Sequence, residues 1–164
     1  MNIFILDQEP TICAQMHADK HVVKMILETA QLLSAAHHHY ETDVAEHVYR
    51  VTHKNHPCTV WVRASKQNYA WAVQLFRALL VEFEFRRGTT HKSGELLTQL
   101  RTIPDGIPDL GLTPFAQAMP DQFKNDDVVK AYRDYYLSDK AYMAAWNWGR
   151  PSPDWWSPAE PSSV

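Results

Sequence analysis

The stretch Asp19-Lys20-His21-Val22-Val23-Lys24-Met25-Ile26-Leu27-Glu28-Thr29-Ala30-Gln31-Leu32-Leu33 decides the fold. At about 100° per residue, Lys20, Lys24, Glu28 and Gln31 fall within roughly 80° of one another. His17 and His21 join that sector if the helix reaches back so far. Val22, Val23, Ile26, Leu27, Ala30 and Leu33 cover most of the remaining circumference. So much apolar girth implies burial on most sides. The titratable stripe is then either a thin solvated strip or the wall of a cleft.

Helical periodicity dominates outward from this stretch. There are only five glycines and no Asn-Gly hairpin signal, so the expected class is all-α. A single helical domain is expected over 1–150, followed by an extended Pro/Trp-rich tail over 151–164. Pro10 suits a first helical position for a short helix to His17. Asp19 is a candidate N-cap for the main helix, which runs to about His38. Residues 41–55 read as a turn or loop, and Pro57 starts a short helix through Arg63. Ser65 suits the N-cap of a long helix to about Arg87, stopped by Gly88. A shorter helix is expected over Ser93–Arg101. Residues 102–125 are Pro-rich and irregular, and connections of that length are often functional. Asp126 or Asp127 caps a last helix, expected to reach Trp146. Beyond Gly149, four prolines keep the tail extended, pinned if Trp155 and Trp156 find pockets.

A chain of 164 residues is long enough to bury a core, and 45% apolar with 21% charged residues is ordinary for a globular domain. No apolar run approaches the ~20 residues that cross a bilayer, so no membrane partner is expected. The N-terminus lacks the basic start and long apolar centre of a secretory signal, which points to the cytoplasm. Cys13 and Cys58 are too few for a disulfide scaffold and read as reduced, buried thiols. The net charge of −3 counts against a sequence-independent duplex coater, yet leaves room for a local basic groove.

Four constellations could carry chemistry. In the stripe, Lys24 and Glu28 form either an i,i+4 surface pair or an amine–carboxylate pair for nucleophilic or acid–base work. A lysine in an apolar pocket loses its proton more readily and can form a Schiff base. Next, His53-Lys54-Asn55-His56-Pro57 with Trp61 places polar side chains at a helix start, where phosphates bind readily. The alternative is a plain turn with Asn55 as its capping residue. Third, Arg63, Lys66, Arg86, Arg87, His91 and Lys92 could bind phosphate, although arginines in a last helical turn are also what the helix dipole favours. Fourth, the C-terminal third alternates aromatics with cations; core packing outweighs base stacking as its reading. His17 and His21, with His53 and His56, form a competing metal reading, but no cysteine pair supports it. No metal and no cofactor are expected. No Gly-rich phosphate loop or nucleophile elbow is present.

The pattern Asp19-Lys20 … Lys24 … Glu28 … Gln31-Leu32-Leu33, then Lys54-Asn55-His56-Pro57 … Trp61, resembles the pyrimidine-dimer DNA glycosylase (endonuclease V)-like proteins of phages and bacteria. Those carry a Lys-x3-Lys-x3-Glu helix followed by an Arg/Lys-Asn-His-Pro turn. The opening Asn2-Ile3-Phe4-Ile5-Leu6-Asp7 and His91-Lys92-Ser93 are similar to an uncharacterised phage branch. The likeness covers roughly residues 1–100 and is weaker beyond, where Tyr132-Arg133-Asp134-Tyr135-Tyr136 … Lys140 is similar to the family's tyrosine- and lysine-rich C-terminus. The resemblance implies a helical glycosylase/AP lyase in a bacterial or phage-infected cell, acting on a damaged or modified pyrimidine in DNA. A free amine attacks the sugar C1′, assisted by Glu28. Lys20, His21, Lys54, Asn55, His56, Arg63, Arg86 and Lys92 would bind substrate or phosphate. The family's amine belongs to a threonine exposed by removal of Met. Asn2 is large, so here Met1 is expected to stay, leaving the Met1 α-amine or Lys24 as nucleophile. An α-amine, with a reference pKa of about 8, is a better neutral nucleophile at pH 7 than a lysine at about 10.4. The alternatives are a non-catalytic viral module that holds a nucleotide or nucleic acid in the same cleft, and a structural, partner-binding helical domain.

Overall fold

The computed structural model describes residues 1–158. Among them the secondary structure is helical, with no strands: α1 (Pro10–Met16), α2 (Asp19–His39), α3 (Pro57–Ala64), α4 (Lys66–Arg87), α5 (Leu97–Leu100) and α6 (Val128–Asp139). Helices α2 and α4 are the long central pair. α1 packs on α4, and α3 packs on both α2 and α4. The core between them holds Met25, Ile26, Leu32, Leu33, Tyr69, Phe76 and Leu79, all essentially inaccessible. Ser65 is the N-cap residue of α4, and Gly88 ends it in the left-handed region at φ 70°. There a side chain would be strained, and Gly is the residue that adopts it freely.

The first six residues form no helix, yet Asn2 through Leu6 are buried. Ile3, Phe4, Ile5 and Leu6 are 0–4% exposed. Burying an unpaired backbone is costly, so its polar groups have partners. The Ile3 N–H donates to Asn2 Oδ1, Cys13 Sγ donates to the Phe4 carbonyl, and Arg133 Nε donates to the Leu6 carbonyl. Four apolar side chains at about 1.5–3 kcal/mol each fix this segment, and with it the position of Met1.

Several expectations are corrected. Asp19 is the first residue of α2 and not its cap; Ala18 is the cap and makes no side-chain bond. The Asp19 carboxylate instead pairs with Arg86 and accepts from the Asn147 N–H. Leu27, counted with the apolar cover, is 40% exposed and lies at the edge of the polar stripe. The helix expected over Ser93–Arg101 is a 3₁₀ turn, Lys92–Leu96, followed by the short α5. Gly94 sits inside that turn, where an added Cβ would come 3.3 Å from Leu80. Helix α6 stops at Asp139, seven residues before Trp146. The chain there turns into a strap, with the Asp19 N–H donating to the Ala145 carbonyl and Arg150 donating to Glu82. Those long-range bonds outcompete continuation of the helix.

The aromatic third is mainly core. Tyr132 and Tyr136 are fully buried, and Trp146, Trp155 and Trp156 pack half-buried against them. The described part of the tail, through Pro158, has no helix; Pro161 lies outside the described residues. Cys13 and Cys58 are free and buried.

Candidate functional site

The buried N-terminal segment delivers the Met1 amine to the stripe on α2. Its nitrogen lies 3.4 Å from Glu28 Oε1, with the Met1 side chain 4% and the Glu28 side chain 15% exposed. The anticipated Lys24–Glu28 pair does not form; Lys20 and Lys24 are exposed, and Glu28's ionic partner among the described residues is the amine. Lys24 therefore lacks the apolar surroundings that activate a nucleophilic lysine.

Asn2 is the residue that the sequence reading missed. It is buried, and its amide serves four partners. Nδ2 donates to the Ala118 carbonyl at 2.8 Å. Oδ1 accepts from the Ile3 N–H at 2.8 Å, the Tyr132 hydroxyl at 3.0 Å and, more weakly, the Cys58 thiol at 3.6 Å. These bonds tie the residue next to the amine to the 102–125 connection, to α6 and to α3. The Asn2 side chain thus holds Met1 in place from three directions. Burial pushes the Cys58 thiol up to about 11, so it stays a neutral packing group and is no competing nucleophile.

His56 stands at the same place. It is the N-cap of α3, its Nδ1 accepting from the Cys58 N–H at 3.1 Å. The remaining proton of the neutral ring therefore sits on Nε2. Burial lowers its pKa first, and the positive Met1 amine lowers it further while Glu28 raises it. Amine, carboxylate and imidazole are thus close enough to feel one another's charge. Asn55 and Lys54 are exposed on the preceding turn, where His53 adopts a positive φ of 51°. Arg63 donates from Nη1 to the Lys54 carbonyl at 2.6 Å and so braces that turn.

Three of the expected substrate contacts lie elsewhere. Arg86 is buried, and its guanidinium is spent on Asp19 at 3.0 Å, Glu82 at 2.9 Å and the His17 and Gln15 carbonyls. His21 is buried against Phe4, its Nδ1 2.8 Å from the Tyr136 hydroxyl. Lys92 is exposed on the turn whose His91 rests against the Val23 backbone, off the stripe. The His17–His21 pair likewise faces inward, with His17 Nδ1 donating to the Cys13 carbonyl. Among the described residues, no group of three or more His, Cys, Asp or Glu is placed to hold a metal ion, and no helix is long and apolar enough to cross a membrane.

No family model, curated protein or solved structure matches this chain. What the site can do rests on its own geometry. An amine held beside a partly shielded carboxylate can attack an electrophilic carbon and pass its proton to the oxygen 3.4 Å away.

Proposed function

We propose that this chain is a DNA glycosylase/AP lyase-type enzyme acting at C1′ of a damaged or modified pyrimidine nucleotide. The observation that carries this reading is the 3.4 Å approach of the Met1 amine to Glu28. With Met1 retained and unblocked, its neutral amine attacks C1′ and the N-glycosidic bond breaks, the electron pair leaving with the base. Glu28 takes the proton released from the amine. Glu28 returns that proton to the ring oxygen as the sugar ring opens, leaving a protonated imine between C1′ and the Met1 nitrogen and restoring the carboxylate. Glu28 then removes a proton from C2′, and elimination expels the 3′ phosphate. On a preformed abasic site, the same amine condenses with the aldehyde and releases water. His56, which feels the charge of both groups, keeps its Nε2–H as a hydrogen-bond donor toward substrate. Arg86 and His21 have no part in this scheme, since both are committed inside the fold.

Borohydride trapping on abasic-site DNA tests it. The wild-type chain should give a covalent protein–DNA adduct whose peptide map places DNA on Met1. One extra residue before Met1 should abolish it. Absence of any adduct with the wild-type chain on abasic or modified DNA sinks the reading. The net charge of −3 favours the rival reading, a module that holds a nucleotide without chemistry. In that case nucleotides, and not DNA, raise the melting temperature and no adduct forms.

A further inference from the structure

A concavity opens on the same face of α2, toward its C-terminal end. It has a volume of about 370 Å³ and is lined by His38, His39, Lys54, Asn55 and Arg63 over a floor that includes Ala35. No acidic residue lines it, and among the described residues none of its four basic side chains is in an ion pair. Its walls are fixed. Arg63 uses one guanidinium donor on the Lys54 carbonyl, and its own carbonyl accepts from the Tyr40 hydroxyl at 2.6 Å. His38 Nε2 lies 2.9 Å from the Tyr49 carbonyl. The last carbonyls of α2, which would repel an anion, are occupied: the Tyr40, Glu41 and Thr42 N–H groups donate to the Ala36, His38 and His37 carbonyls.

We infer that this pocket binds a backbone phosphate of a polynucleotide whose reacting sugar sits at Glu28. The inference rests on the reading of the Met1–Glu28 pair as a sugar site. Lys54, Arg63, His39 and the Asn55 amide around one concavity suit a phosphate oxyanion, with His38 held to the Tyr49 carbonyl as part of the wall, and a guanidinium fork binds the anion with two parallel bonds. Glu28 and Ala35 are seven residues apart on one helical face, about 10 Å along α2. That is about three nucleotide steps of duplex axis, so the phosphate held here belongs to a flanking nucleotide. One turn joins the two places: His56 borders the amine, while Lys54 and Asn55 line the pocket. A strand lying along the α2 stripe therefore meets the chemistry at one end and this cationic pocket at the other.

The test compares the wild-type chain with a Lys54→Ala/His39→Ala variant; both side chains are exposed, so the fold should stand. Arg63 is left intact because it braces the turn. Binding to a fluorescent duplex carrying a tetrahydrofuran abasic analogue is measured against salt, and binding of thymidine 5′-monophosphate is measured alongside. The variant should bind the duplex about tenfold more weakly, its log–log salt slope smaller by about 0.9 per lost phosphate contact, with the mononucleotide unaffected. Unchanged duplex affinity and slope would overturn the inference. Equal weakening toward the mononucleotide would also overturn it, by making this the nucleotide's own phosphate site. Trapping on the matching abasic duplex separates the two readings. Wild-type binding and trapping in the variant refute the pocket alone. A lost slope in the variant, with no trapping by the wild type, refutes the sugar chemistry alone and supports the pocket.

Discussion

At the scale of single residues, the meeting of Met1 with Glu28 depends on Asn2. Asn2→Ala removes the acceptor used by the Ile3 N–H and the donor used by the Ala118 carbonyl, while the Tyr132 hydroxyl keeps the Ala116 carbonyl as its acceptor. Such orphaned groups cost about 1–3 kcal/mol, so the urea midpoint should fall accordingly. Trapping should fall by a larger factor than the remaining folded fraction explains, because a small displacement of a nucleophile is costly in rate. Glu28→Gln keeps the shape and removes the base; strand scission should slow by about 10²–10⁴-fold while duplex affinity holds. If Glu28→Gln cleaves at the wild-type rate, the carboxylate has no role in the elimination. The stripe itself, and Glu28 as its carboxylate, were legible from helical spacing. The Met1 amine was offered only through the family resemblance, beside Lys24: Met1 is separated from Glu28 by 27 positions, and nothing in local spacing shows an extended segment threading back under α2. The signal that could have chosen it over Lys24 is the run Ile3-Phe4-Ile5-Leu6, too apolar to lie free and too short to be a helix.

At the scale of elements, the well-read parts are those with local causes. Gly88 after α4 marks its end through backbone preference alone, and the 3.6-residue period marks the body of α2 and α4; Ser65 stands at the N-cap, but its hydroxyl bonds the distant Gly111 carbonyl and no α4 N–H. The poorly read parts are held by distant partners. Arg86 shows this most clearly. In sequence it is one of two arginines in a last helical turn, free for a phosphate; in the fold it fills a buried junction of α1, α2, α4 and the C-terminal strap. Asp19, Glu82 and Arg150 complete that junction, Arg150 lying 2.7 Å from Glu82. Arg86→Leu would leave the Asp19 and Glu82 carboxylates short of one cation in a dry site. Breaking a buried pair in this way costs about 3–5 kcal/mol, to be read as a loss of unfolding free energy in denaturant. The salt slope of DNA binding should stay as in the wild type for the folded variant. A slope reduced by about 0.9 with stability intact would return Arg86 to the phosphate contacts.

At the scale of the whole molecule, the nine histidines divide into surface groups and groups folded in as neutral rings. His17 is fully buried, with Nδ1 donating to the Cys13 carbonyl and Nε2 without a partner. Burial lowers its pKa from 6.5 to about 4, and the Arg86 charge acts in the same direction. Burial lowers His21 from 6.5 to about 3, with His17, Lys140 and Lys24 adding to the effect. For both rings the unfolded chain takes up a proton near pH 6.5 and the folded chain does not. The unfolded state is therefore favoured progressively as pH falls below about 6.5, until the folded rings titrate near 4 and 3. Above pH 6.5 their contribution to stability is complete. Each ring adds a slope of about 1.4 kcal/mol per pH unit inside its window, so the pair gives nearly 3. Against a total stability of about 5–15 kcal/mol, two pH units of this are decisive, and the chain should unfold in mild acid. Unfolding free energy measured in urea between pH 5 and 6 should climb with pH by about 2–3 kcal/mol per unit from these two groups. In His17→Gln, which lacks the titrating ring, the slope should drop by about 1.4 kcal/mol per unit while its value at pH 8 changes separately through packing. The comparison of slopes cancels the carboxylates that titrate in the same range. A slope identical to the wild type would mean that His17 binds its proton equally in both states, and that the interior around it is open to water.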